Sequence, residues 1–515
     1  MNPVSIVGAG PGDPSLISVR GLRCLARADV VVHDSLIDAR LLRMARADAE
    51  LIDVGEAAPG EAAQNAICLL VAEKARDGQY VVRLKWGDPF LFDSGGKEAL
   101  FLHEQGIAFE VVPGIPALVG IPAYAGIPIT YPGSGNTLTF IRGHEDGEEG
   151  TPTLDWRQLA QVDGTLLCYA GPRQLARVAS SLLAHGRPAD DSAAVVFNGT
   201  TPQQQTRSGT LASLARDLAE HPPAAPAVLV VGPSAGLREH LRWYDERALF
   251  GTRIVVTRSR EQAGEFVERL TDLGAQVIEA PSIHIQPLDD YDEMDRAIAD
   301  IRRYDWLVFT SANGVDHFMR RALTRVRDIR DLHGPRFCAV GPATAERLQR
   351  LHLRVDVVPE DDRSEGVVAA LRAMGQLDGR RMLLPRADIA REVLPDELRK
   401  AGVEVDDIAA YSTIRAAWGQ EGAPDIYKRL LEGDVDIVTF TSASSVRHFV
   451  TNLGEEQAAD LLHQVTVASI GPVTAEAAQQ LGIATQIMPH APYTIPSLVD
   501  AIVAHVQAHA AANRP

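Results

Sequence analysis

The chain has 515 residues, with 50 Lys and Arg against 68 Asp and Glu, a formal net charge of −18 and a pI near 5.3. That length predicts roughly three to four domains, and the acidic balance excludes nucleic acid or an anionic membrane surface as a general partner, leaving only local basic clefts. The four cysteines, Cys24, Cys68, Cys168 and Cys338, stand far apart without paired metal spacing, which predicts reduced thiols in a cytoplasmic protein and no metal site.

The first segment, MNPVSIVGAGPGDP, runs directly into a strand and lacks the basic region and long apolar core of a signal peptide. No uncharged run approaches the roughly 18 residues that span a bilayer. Strands are predicted at VSIVGAG from Val4, ADVVVHD from Ala28, YVVRLKWGDP from Tyr80, FEVVPG from Phe109, LTFIRGH from Leu138, GTLLCYAG from Gly164, SAAVVFNG from Ser192 and AVLVVGP from Ala227. They alternate with amphipathic helical segments, which predicts parallel sheets covered by helices. The Gly-rich turn after the first strand misses the dinucleotide fingerprint: Gly8, Gly10 and Gly12 give G-x-G-x-G, and Pro11 stands where a helix N-terminus would donate to pyrophosphate. An acid-rich stretch from Gly143 reads as a solvated loop, and the prolines of IPITYPGS from Ile127 mark a hinge. A boundary near residue 250 separates residues 1–250 from 251–515.

The second part is written twice. DWLVFTSANGVDHF at Asp305 and FCAVGPATAERL at Phe337 return as DIVTFTSASSVRHF at Asp436 and VASIGPVTAEAA at Val467. Thr310 and Thr441 lie 131 residues apart, Thr344 and Thr474 lie 130 apart, and the strand ends at Arg258 and Arg386 lie 128 apart. A period this long is a duplicated α/β lobe, because solenoid repeats run at roughly 20 to 50 residues. In each copy a β-branched run ends in a hydroxyl-bearing turn and a helix follows. Thr310, Ser311, Thr344, Ser442 and Thr474 therefore read as helix caps whose free N–H groups can receive an anion. Arg258 and Arg386, at strand ends, read as cations for carboxylates.

The amino-terminal motifs VGAGPGDPSLISVRGLRCLARADVVVHDSLI, VVRLKWGDPFLF, FEVVPGIPALVGIPAYAGIPIT, FIRGHE and FNGTTPQQQ, in this order, resemble the uroporphyrinogen-III C-methyltransferases of the tetrapyrrole methylase family over about residues 3–247. From Gly251 onward the repeated part is similar to uroporphyrinogen-III synthase. The resemblance implies an α/β chain with a two-lobed methylase domain and a two-lobed, internally duplicated, doubly wound synthase domain. It implies closure of hydroxymethylbilane with inversion of its last ring, then methyl transfer from S-adenosylmethionine to give precorrin-2, on the way to sirohaem or cobalamin. It also implies a homodimer through the methylase domain.

Carried over by motif, Asp34 matches the proton acceptor, with Leu36 beside it, and Thr130 matches a substrate-side hydroxyl. Gly10, Pro11 and Gly12, then Gly87, Asp88 and Leu91, then Ala117 and Gly199 match positions around S-adenosylmethionine. Trp86, Pro116 and Ala170 fall at further cofactor positions, where the family usually has Gly, Thr and Met. Glu56 replaces a Lys, and Ser94-Gly95-Gly96-Lys97 replaces Arg-Gly-Gly-Glu, with Lys97 restoring one charge toward the substrate. In the second part Tyr411, in AAYST, matches a cleft tyrosine that assists departure of the bilane hydroxyl. The departures support a second reading, an active synthase whose first domain is a tetrapyrrole-binding scaffold. A third, a bilobed receptor, rests on the duplicated lobes alone. The resemblance further implies that residues 252 to about 285 join the carboxy-terminal lobe.

Overall fold

The computed structural model describes residues 3–55, 61–142, 154–222, 227–258, 260–360, 363–388, 393–415, 418 and 425–512. Glu56 and the acid-rich stretch from Gly143 lie outside them. The chain divides into two compact units, the first built mainly from residues up to Arg253 and the second mainly from Ile254 onward.

The first unit has two sheets. Strands β1 (Val4–Gly8), β2 (Val30–His33), β3 (Glu50–Asp53), β4 (Val81–Lys85) and β5 (Phe109–Val112) are all parallel, in the order β3-β2-β4-β1-β5. Val4, Ile6, Val30, Val32 and Val81 pack beneath the helices Glu61–Arg76 and Gly95–Glu104. The second sheet holds β6 (Thr137–Arg142), β7 (Gly164–Ala170), β8 (Ser192–Phe197), β9 (Gln205–Thr210) and β10 (Ala227–Val231), ordered β6-β7-β10-β8-β9. Here the expectation of parallel sheets fails. Only β6 and β7 run parallel, and β10 is antiparallel to both its neighbours. Residues 198–204, which link β8 to β9, are too few for a crossover, since a parallel connection needs a dozen residues or more.

In the second unit the strands are β11 (Arg253–Val256), β12 (Gln276–Glu279), β13 (Ile283–Gln286), β14 (Trp306–Phe309), β15 (Arg336–Ala339), β16 (Arg381–Ala387), β17 (Glu404–Arg415), β18 (Ile437–Phe440) and β19 (Thr466–Ser469). They form two sheets, β12-β11-β18-β19 and β13-β17-β16-β14-β15. The repeat is visible in the register: β14 lies parallel to β15 as β18 does to β19, and each of the four strands leads into a helix. β11 joins the carboxy-terminal strands, with Ile254 opposite Ile437. Among the described residues no helix is long and apolar enough to cross a membrane.

Candidate active sites

Three glycines set the mouth of the first parallel sheet. A Cβ on Gly8 would lie 2.5 Å from Gly114 N and 2.7 Å from Gly87 O, so the ends of β1, β4 and β5 approach as only glycine permits. Gly10 and Gly87 exchange backbone bonds of 3.2 and 2.9 Å. Asp88 fixes the loop by accepting from Gly114 N–H at 3.0 Å and Phe90 N–H at 2.9 Å. Pro11 packs on Gly120, where a Cβ would stand 2.8 Å from its ring, and Gly12 lies against Thr200 and Gly199. Gly199 itself fits only because it has no side chain to meet Ile121. Pro116 opens the helix Ala117–Tyr124. The sequence-predicted residues Gly10, Pro11, Gly12, Gly87, Asp88, Pro116, Ala117 and Gly199 thus converge at the carboxyl ends of parallel strands, where open α/β sheets place their ligands. Leu91 follows in the same loop, half-buried. Ala170 does not reach the mouth by its side chain, which is buried in the core of the second sheet.

Asp34 directly follows β2, and its carboxylate is gripped from two sides. Arg83 Nη2 donates to Oδ1 at 2.5 Å and the Trp86 N–H donates to Oδ2 at 2.9 Å. Arg83, 1% exposed, also lies 3.3 Å from Glu98 and donates to the carbonyls of Val32 and Leu84. Burial works against its charge, but Glu98 and Asp34 outweigh it and hold its pKa above the usual value. Burial would likewise lift Glu98, yet Arg83 and Lys85 pull it below its ordinary range. Arg83, Lys85 and Glu98 were missed by motif matching. Their signal lay in the RLK of VVRLKWGDP, since charges inside a central parallel strand must be paired.

Trp86 turns inward. Its ring stands 5.3 Å from that of Tyr169, and it packs on hydrophobic clusters of both lobes of the first unit. Lys97, the charge expected toward the substrate, is exposed and stands apart from the buried charges on Arg83, Lys85 and Glu98. The helix Gly95–Glu104 exposes Lys97 and turns Glu98 inward, because residues 97 and 98 lie about 100° apart on a helix. Ser94 bonds to Lys85 at 2.9 Å without capping that helix. Leu36 and Thr130 are exposed.

In the second unit Tyr411 lies on β17 beside a bulge in the β16 pairing at Arg386 and Ala387. Its hydroxyl is 3.3 Å from Ser311 Oγ and its ring 5.3 Å from that of His317. Burial raises its pKa, with Asp388 adding and the Ser311 bond opposing, so at neutral pH it is a proton-bearing donor. Ser311 and Ser442 cap their helices as expected, accepting from Gly314 N–H and Ser445 N–H, both at 3.1 Å. Thr310 sits half-buried just before the first of these caps.

Thr344 and Thr474 are not caps. Gly341 and Gly471 hold the cap positions, Pro342 and Pro472 start the helices, and the two threonines are buried in the first turn. Arg386 is buried and its guanidinium grips Asp407, so its charge is spent inside the fold. Burial lowers the pKa of Arg258, with Glu265 opposing.

Residues 3–215 match the family model for tetrapyrrole (corrin/porphyrin) methylases, and residues 264–500 match that for uroporphyrinogen-III synthase HemD. The chain is 34% identical over 503 residues to the porphyrin biosynthesis protein HemD of Ruminiclostridium josui, covering 97% of each. It is 34% identical over 361 residues to the uroporphyrinogen-III C-methyltransferase of Bacillus subtilis strain 168, covering 70% of this chain and 74% of that one. A crystal structure of uroporphyrin-III C-methyltransferase from Thermus thermophilus with S-adenosyl homocysteine aligns at 33% identity and a TM-score of 0.40, over 46% of this chain and all of that one.

Proposed function

The chain belongs to the porphyrin-biosynthesis family that joins a tetrapyrrole methylase to a uroporphyrinogen-III synthase, and on that footing we propose how its residues divide the two reactions. It is a bifunctional enzyme of tetrapyrrole biosynthesis, a C-methyltransferase and a synthase in one chain.

S-adenosylmethionine fits the strand-end mouth. At Gly87, φ +68, an added Cβ would meet only Ala117 N at 3.8 Å, so the peptide edge is open to a ligand, and Gly10 and Asp88 flank it. When bound, that group supplies a methyl on a sulfonium. Asp34 accepts the proton that the macrocycle releases from a position next to the newly methylated ring carbon, which itself carries no hydrogen, a general-base role. The observation that carries this reading is adjacency: the N–H that orients Asp34 belongs to Trp86, the residue next to the Gly87 that pairs with Gly10. Trp86 and Tyr169 offer the tetrapyrrole an aromatic wall.

In the synthase half, Tyr411 donates its proton toward the departing bilane hydroxyl while Ser311 holds the phenol in place. Most of the catalysis is proximity, since holding the two ends of a reactive bilane together turns an open chain into a ring. The capped helix starts at Ser311 and Ser442 receive substrate carboxylates. Four buried, free cysteines support a cytoplasmic location.

Two assays on the whole protein test the reading. Purified protein is expected to convert hydroxymethylbilane to uroporphyrinogen III, and to incorporate methyl groups from labelled S-adenosylmethionine into that product. Cyclisation without methyl incorporation, at saturating donor, would overturn the role given to Asp34.

A further inference from the structure

Three carboxyls and two cations share one buried cluster in the first unit, and only its Asp34 end touches the methyl-transfer site. Lys85 is fully buried, its Nζ 2.9 Å from Ser94 Oγ, 3.0 Å from Asp93 Oδ1 and 3.1 Å from Glu98 Oε1. Glu98 lies 3.3 Å from Arg83 Nε, and Arg83 holds Asp34. Gln64 donates to Glu98 Oε1 at 2.9 Å, while Oε2 is buried without a hydrogen bond of its own. The Cys68 thiol, on the helix Glu61–Arg76, also faces the cluster, and burial and then Glu98 raise its pKa, keeping it neutral. With every carboxyl ionised the cluster would carry one uncompensated negative charge out of water, a costly state. Asp93 is the member at the rim, its side chain 19% exposed, where a proton can enter and leave. Burial raises its pKa above the ordinary aspartate range against the pull of Lys85.

We propose that Asp93 is a positioning residue for Asp34: by taking up or releasing the cluster's spare proton it sets how Lys85 is shared with Glu98, and so how firmly Arg83 holds Asp34. Ionised Asp93 draws Lys85 from Glu98, Glu98 then leans on Arg83, and the grip of Arg83 on Asp34 loosens. Protonated Asp93 returns Lys85 to Glu98 and Arg83 to Asp34. Asp34 is therefore the stronger proton acceptor on the alkaline side of the Asp93 titration. This rests on the assignment of Asp34 as the acceptor in methyl transfer.

Infrared titration of the ligand-free whole protein, together with the pH profile of methyl incorporation, tests it. The wild type is expected to show a protonated-carboxyl band that titrates above the ordinary aspartate range, and its methyl-transfer rate rises as that band disappears. Asp93→Asn loses the band and the alkaline rise, leaving a rate about tenfold below wild type there, the worth of one pKa unit in the hold on a neighbouring charge. Asp93→Glu restores both. A band that survives in Asp93→Asn, or an alkaline rise that does, overturns the proposal. Should Asp93→Asn fail to fold, Ser94→Ala removes the hydroxyl shared by Lys85, Asp93 and Glu98 and must move the band and the profile together; movement of one alone overturns the coupling. A wild type that transfers no methyl brings down the Asp34 assignment, and the positioning role with it, while the band still reports whether Asp93 carries the proton.

Discussion

A guanidinium in the central strand of a parallel sheet destabilises the fold unless its donors are engaged, and Arg83 engages Asp34, Glu98 and two backbone carbonyls. Removing it takes from Asp34 its buried cation, while Glu98 keeps Lys85 at 3.1 Å. Arg83→Met is expected to lower stability by about 3–5 kcal/mol, the cost of breaking a buried pair, read as a fall in the denaturant midpoint. Methyl incorporation should fall with it, because Asp34 keeps only its bond from Trp86 N–H. At this scale the sequence was informative where a motif names a residue: Asp34 and the glycines at 10, 87 and 199 converge on one mouth. It was least informative where the chain departs from the pattern, as at Ser94 and Trp86. Their neighbours Lys85 and Tyr169 are brought to them by the fold, and no spacing encodes that.

The eight strands expected in the first half all exist because each is an apolar run, interior or half-buried, between turn residues. The two that escaped, β3 and β9, are edge strands with mostly exposed side chains, β9 polar nearly throughout and β3 with an acidic residue at each end. Polar edges are how natural sheets avoid sticking to one another, so what protects the fold also hides the strand from hydropathy. The helix starts divide in the same way. Ser311 and Ser442 accept the bonds that cap residues should, whereas the Gly-Pro starts leave Thr344 and Thr474 inside their helices. Ser442→Ala is therefore expected to cost about 1–2 kcal/mol, the upper part of the range for cap removal, since its capping box with Ser445 is lost too. Thr474→Ser, which keeps the hydroxyl but deletes a buried methyl, should cost about 1 kcal/mol through packing alone. Chemical denaturation of the two variants separates cap from core.

Across the whole molecule the proposed assignment gives each chemistry residues of its own unit: Asp34, Arg83 and the strand-end glycines in the first, Tyr411 and Ser311 in the second. The two activities should therefore fail separately. Asp34→Asn is expected to abolish methyl incorporation, by at least about a hundredfold for loss of a general base, with the cyclisation rate unchanged. Tyr411→Phe should slow cyclisation while methyl transfer from supplied uroporphyrinogen III continues, and its stability should drop by only about 0.5–1.5 kcal/mol, one hydrogen bond. Loss of both activities in either variant would contradict this division.

The strand β11 has its partner β18 more than 180 residues further along the chain, with Ile254 opposite Ile437. On the ribosome this strand emerges half-way through synthesis and must wait, one edge bare, until most of the second half has been translated. The lobe spelled out in between can complete its own sheet first, since β13 to β17 are contiguous in the message. Nascent chains released before β18 would therefore expose an unmatched parallel edge, the kind of surface that chaperones cover and aggregates exploit.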